Sequence, residues 1–137
     1  MPYQLIPPDE VEHTPALMQL LDNANRYFNS FRYEYDQVKH DQLDYWTARI
    51  EQFNAGDCDD YALSKRRRLL AAGVPYQCLF PTICTVGDEG HLVLIVRTNI
   101  CDLLLDNIEQ RVVGVDRVKY TWWYRLDPVN KSWVALR

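Results

Sequence analysis

The apolar pattern of this chain changes period at Gly73-Val74-Pro75. Before that point apolar residues recur every three to four positions, as on a helix; beyond it they run in aromatic and β-branched blocks, as in strands. Helices in the first half and strands in the second predict an α+β fold, with N-terminal helices packed on an antiparallel β-sheet. The 137 residues, 47% of them hydrophobic, suffice for one buried core and are too few for two ordinary domains, so residues 1–137 read as a single domain.

Residues 1–13 are polar and Pro-rich and are expected to form an extended arm. Thr14-Pro15 then supplies a helix N-cap and a proline at the first helical position, and Leu17, Leu20, Leu21, Ala24 and Tyr27 or Phe28 predict a helix over roughly 15–30. From Phe31 to Gln42 the pattern leaves loop and short strand both open. Asp44 to Phe53 reads as a short helix that ends at an Asn54-Ala55-Gly56 turn. A further helix starts near Asp57 or Cys58, with Tyr61, Ala62, Lys65, Leu69 and Ala72 on one face and Gly73 and Pro75 to stop it. The basic run Lys65-Arg66-Arg67-Arg68 within it reads as a solvated face, with a phosphate-binding patch as the alternative.

In the second half, Tyr76 to Val86 predicts a strand, with Pro81 suggesting an edge or a bulge. Gly87-Asp88-Glu89-Gly90 reads as a turn, and His91 to Thr98 as a strand buried on both faces. Asn99 to Asp102 turns the chain into Leu103-Leu104-Leu105-Asp106. Tyr120 to Leu126 and Ser132 to Ala135 read as a hairpin across Asp127-Pro128-Val129-Asn130.

Composition excludes several classes. With 15 basic against 19 acidic residues there is no overall positive field to hold nucleic acid. No run of 18 apolar residues exists, and the start has neither a basic n-region nor a long apolar h-region, so membrane insertion and export are not expected and the chain as written reads as cytoplasmic. Cys58, Cys78, Cys84 and Cys101 contain no CxxC pair, which favours thiols over disulfides or structural zinc. Nothing in the sequence sets the oligomeric state.

Chemistry concentrates at three positions. Cys58 opens a predicted helix, where unpaired backbone N–H groups and the positive dipole end favour a thiolate. His91 heads the next buried strand and is suited to act as base and then as acid. Asp106 ends the strand after it. Thr98 to His91 is seven residues and Ile100 to Asp106 is six, so an antiparallel pair folded at Thr98 to Asp102 brings Asp106 close to His91 on one face. Cys78, Cys84 and Cys101 fall in strand-like or turn-like runs and read as structural, while His13 and His40 lie in polar segments without a partner pattern.

The stretch Asp44-Tyr45-Trp46, then Gly56-Asp57-Cys58-Asp59-Asp60-Tyr61-Ala62 with Lys65, then Gly73-Val74-Pro75, His91-Leu92-Val93-Leu94 and Leu104-Leu105-Asp106-Asn107 resembles the bacterial transglutaminase-like cysteine proteinases. The likeness covers roughly residues 20–125. It implies a papain-like, transglutaminase-type core, a protein or peptide substrate, and a triad of Cys58, His91 and Asp106. Trp46 matches a tryptophan that precedes the family's nucleophile, either a core aromatic or an indole N–H donor to the oxyanion beside the Cys58 N–H. In the adhesin-releasing periplasmic members the acidic residues flanking the cysteine bind calcium. Here these are Asp57 and Asp59, whose other role is helix capping, and the family usually has Glu where this chain has Asp59.

The expected activity is therefore peptide-bond hydrolysis through a thioester, with no cofactor required for the chemistry. The same triad serves a transglutaminase or a glutamine deamidase. A non-catalytic protein-binding module on the same fold is the third reading, supported by the exposed aromatic surface that Tyr120 to Tyr124 are expected to offer. The missing export signal fits either a shortened chain or a compact cytoplasmic or phage-encoded relative.

Overall fold

The computed structural model describes residues 10–33, 55–56 and 58–136. Helix α1 spans Pro15–Asn29, capped by the Thr14 hydroxyl, which accepts from the Leu17 N–H at 3.0 Å. Its Leu17, Leu21 and Ala24 enter the main core, while Phe28 packs on Tyr61 of helix α2 (Cys58–Ala71). Of the Tyr27 and Phe28 alternatives, Phe28 is the buried one. The α2 helix stops as the sequence predicts, with Gly73 at φ 96 in the left-handed region that a side chain disfavours.

Two short strands, β1 (Arg32–Tyr33) and β2 (Ala55–Gly56), pair in parallel just before α2. Ala55-Gly56 is thus ladder and not the expected turn, because the chain entering α2 is aligned against the chain leaving α1. The predicted helix over 44–53 lies outside the described residues.

The remaining strands are β3 (Leu79–Val86), β4 (Glu89–Arg97), β5 (Asp102–Leu105), β6 (Val113–Gly114), β7 (Thr121–Leu126) and β8 (Trp133–Ala135). They form one antiparallel sheet in the order β6-β5-β4-β3-β7-β8, with the two helices packed on it. The fold is thus α+β, as expected. Strand alternation divides β4: Leu94 and Val96 face the α1 and α2 core with Leu69, Leu79 and Leu105, while Val93 and Ile95 face a second cluster with Phe80, Cys84 and Leu104. Glu89 and Gly90, expected in the turn, are already strand, and the tight turn is Gly87-Asp88 with Gly87 at φ 62. The described part of the N-terminal arm is pinned, since Val11 donates to the Arg97 carbonyl at 3.0 Å and accepts from the Asn99 N–H at 3.1 Å.

Two further expectations are corrected. Pro81 is neither at an edge nor at the bulge: β3 lies between β4 and β7, and the register shift falls at Ile83/Cys84. Proline is tolerated because β7 pairing begins only at Thr82↔Arg125, one residue further on. The run Lys65 to Arg68 is not wholly a solvated face either. Arg67 and Arg68 are exposed, but Lys65 is fully buried, one turn after Tyr61 and one before Leu69 on the core side of α2. Ala72, expected on that same buried face, lies beyond the helix and is exposed.

Candidate active site

The centre of the site is a buried imidazole and carboxylate. His91 Nε2 and Asp106 Oδ1 lie 2.6 Å apart, with the residues 8% and 1% exposed. The register Leu94↔Leu105 explains the meeting: extended by one pair it sets Asp106 opposite Val93, so His91 is its diagonal neighbour on the same face. Asp106 is saturated with donors. Oδ1 also accepts from the Ile108 N–H at 3.2 Å, and Oδ2 accepts from the Tyr120 hydroxyl at 2.5 Å and the Glu109 N–H at 3.4 Å.

These donors decide the charge. Burial pushes the Asp106 carboxyl up, but the hydrogen bonds from His91 and Tyr120, the His91 charge and the Ile108 N–H outweigh it and hold the group below the usual carboxylate range. Burial together with the Asp106 charge pushes the Tyr120 phenol up, so it stays a donor. With Asp106 ionised, Nε2 of His91 carries the proton, and Nδ1 is the ring nitrogen left to exchange one.

Cys58 is the first residue of α2, half-buried, and packs with Ile83 against Ala62, Leu63 and Leu92. Leu92 follows His91 in β4. Tyr61, three residues beyond Cys58, lines a cleft of about 460 Å³ together with His91, Gly90 and Asn107. The Cys58 thiol donates to Asp59 Oδ1 at 3.7 Å. The other thiols are placed differently: Cys78 and Cys84 are buried, and Cys101 is exposed in the β4–β5 turn. Burial and the charge of Asp106 push the Cys84 thiol up to about 12, which keeps it neutral and inert. Trp46 and Asp57 lie outside the described residues.

The sequence reading missed a brace behind the pair. Lys65 Nζ donates to Asn29 Oδ1 at 2.8 Å, and Asn29 Nδ2 donates to the Asp106 carbonyl at 2.8 Å. One turn earlier on α1, Asn25 Nδ2 holds the Gln110 carbonyl at 2.9 Å. The two amides fix both ends of the 106–110 loop. Their signal was present in the sequence: two asparagines four apart, on the face that also carries Leu21 and Phe28.

Burial lowers the Lys65 ammonium to about 7, with the Asp106 charge acting against the shift. The unfolded chain holds that proton to about pH 10.4. Between about pH 7 and that value the unfolded state binds more protons, so this group makes stability rise with pH there and gives no slope below it. Lys65→Met is expected to flatten the rise in melting temperature from pH 7 to 9. An unchanged slope would show that the ammonium does not titrate in this window.

Among the described residues no group of three His, Cys, Asp or Glu side chains is placed to hold a metal ion. Asp59 offers one carboxylate, where calcium takes six to eight oxygens, so the described residues alone do not make a calcium site. No helix among them is long and apolar enough to cross a membrane.

Three solved structures of LapG from Legionella pneumophila, calcium-bound, as such and EGTA-treated, superpose with TM-scores of 0.70, 0.68 and 0.68. Each is 28% identical over 83% of this chain, which covers 66%, 66% and 64% of the respective LapG chains. The chain thus spans just under two thirds of the length of these proteins. No curated protein matches. The model of the bacterial transglutaminase-like cysteine proteinases matches residues 4–137, nearly the whole sequence. On that match the chain belongs to the bacterial transglutaminase-like cysteine proteinase family.

Proposed function

We propose that this chain is a cysteine peptidase that cleaves a peptide bond in a protein substrate through a thioester, with Cys58 as nucleophile, His91 as base and acid, and Asp106 as the residue that orients His91. The observation that carries the reading is the buried 2.6 Å His91–Asp106 pair, whose cleft is lined also by Tyr61, one turn beyond Cys58 on α2. His91 Nδ1 takes the Cys58 proton, and the thiolate attacks the scissile carbonyl carbon. Collapse of the tetrahedral adduct breaks the C–N bond, and the His91 proton goes to the leaving amine. A water, deprotonated by His91, then cleaves the thioester, releasing a carboxylate and restoring the thiol. The Cys58 N–H and the Trp46 indole are assigned as oxyanion donors in both steps.

Asp57 and Asp59 are the carboxylates proposed for calcium, the ion present in one of the LapG structures. An ion held there would draw Asp59 away from the Cys58 thiol, and no step of the acyl transfer runs through it. Calcium is expected to raise the melting temperature of the native chain relative to EGTA, and Asp59→Ala to remove the difference.

Hydrolysis and transfer share the acyl-enzyme, so the experiment must read both fates. Rapid-quench intact mass with an unfolded protein substrate should show an acyl adduct on Cys58, and added primary amine should leave the products as free carboxylates. Amine incorporation into glutamine would replace the peptidase reading with transglutaminase. The absence of a Cys58 adduct during turnover would remove both.

A further inference from the structure

The face of the sheet that carries His91 also carries a second groove, at the opposite end of β4. It has a volume of about 270 Å³, and its walls include Ile95, Val115, Trp122 and Leu136. Two guanidiniums rest on its Phe80 ring, Arg97 at 4.7 Å and Arg125 at 4.8 Å from the centroid. Arg97 is paired with Asp102 at 3.6 Å. Arg125 has no carboxylate within ion-pair distance among the described residues; its neighbour Asp127 acts on it only as a longer-range charge, that carboxylate accepting from the Val129 and Asn130 N–H groups at 2.8 Å each. The charged side chains lining the groove are therefore two cations and one anion, a local excess of one positive charge in a chain whose net charge is −4.

We propose that this groove is a second binding site, which takes an acidic, apolar segment of a partner protein: one Glu or Asp carboxylate on Arg125, flanked by aliphatic or aromatic side chains against Trp122 and Leu136. The charge selects the ligand. One carboxylate neutralises the excess, whereas a phosphate dianion overshoots it and meets Asp102 as well. Guanidinium forks bind carboxylates in two parallel hydrogen bonds, and the stack on Phe80 holds the forks in place before the ligand arrives. Two rings connect the groove to the catalytic end of the molecule. Trp122 packs on Tyr120 with ring centroids 5.7 Å apart, and Tyr120 is the hydroxyl donor to Asp106.

The test uses the full chain, the acetylated and amidated tripeptide Leu-Glu-Leu, and its Leu-Gln-Leu counterpart, read by NMR at the Trp122 indole and the Arg97 and Arg125 side chains. The Glu peptide should shift these signals saturably at millimolar concentration, and the Gln peptide should bind roughly tenfold or more weakly. Arg125→Gln should abolish the difference, Arg125→Lys should retain part of it, and alkylation of Cys58 should leave it intact. That last arm separates this site from the peptidase reading, because binding here does not need a reactive Cys58. Equal binding of the two peptides, no saturable shift, displacement by an equal concentration of inorganic phosphate, or loss on Cys58 alkylation would each overturn the proposal. Where Arg125→Gln does not fold, the two peptides on the native protein still decide.

Discussion

His91→Ala is expected to lower peptide hydrolysis by roughly 10⁴-fold or more, and to slow alkylation of Cys58 by iodoacetamide at neutral pH toward the rate of a thiol without a base. Both readouts depend on the same proton. In the proposed mechanism, with Asp106 ionised and bonded to Nε2, the histidine offers Nδ1 as the base, and without it the thiol would lack a proton acceptor. Loss of fold is not the expected cause. The truncation leaves Asp106 with the Tyr120 hydroxyl and the Ile108 and Glu109 N–H groups, so much of its hydrogen bonding survives. The melting temperature of the variant separates the two cases: a folded protein that still alkylates Cys58 at the native rate would reject His91 as the base.

Asp106 is expected to matter twice, and two variants divide the effects. Asp106→Asn keeps the shape and an acceptor oxygen for His91, so alkylation of Cys58 should slow without stopping, with kcat down by roughly 10² to 10⁴. Asp106→Ala removes the acceptor for four donors at once, and a cost of about 3 to 5 kcal/mol is expected from urea unfolding. The native carboxyl titrates below its unfolded value near 3.9, so its contribution is fully present above about pH 4 and is lost as the pH falls through the depressed folded value. The native protein should therefore lose stability on acidification more steeply than Asp106→Asn. Parallel acid limbs for the two proteins would contradict the assignment of a depressed, donor-saturated Asp106.

Much of this arrangement was legible in the sequence because it depends on local period and on one tight connection. The start of α1 at Thr14-Pro15, the span of α2, the fully buried run of β4 and the β7–β8 hairpin follow from capping, turn residues and apolar spacing. The His91–Asp106 meeting followed from counting residues across a short turn. What was not legible depends on partners distant in sequence. Tyr120 read as an exposed aromatic because nothing local shows that the loop after Asp106 returns its hydroxyl to that carboxylate. Lys65 read partly as surface because its partner Asn29 lies on another helix. Pro81 read as an edge or a bulge because a single strand does not reveal where the ladder on one side begins. The apolar surface foreseen at 120–124 is divided: Tyr120 and Trp122 are half-buried in the second core, and Trp123 and Tyr124 are exposed at 40% and 45%.

The most direct measurement of the central claim, that Cys58 is the activated thiol, is the order in which iodoacetamide modifies the native protein at neutral pH, read by intact and peptide mass. Exposure alone favours Cys101, since Cys58 is half-buried and Cys78 and Cys84 are buried. The account predicts the reverse, with Cys58 modified first and its rate dependent on His91. Modification of Cys101 ahead of Cys58, or a Cys58 rate indifferent to His91→Ala, would contradict it.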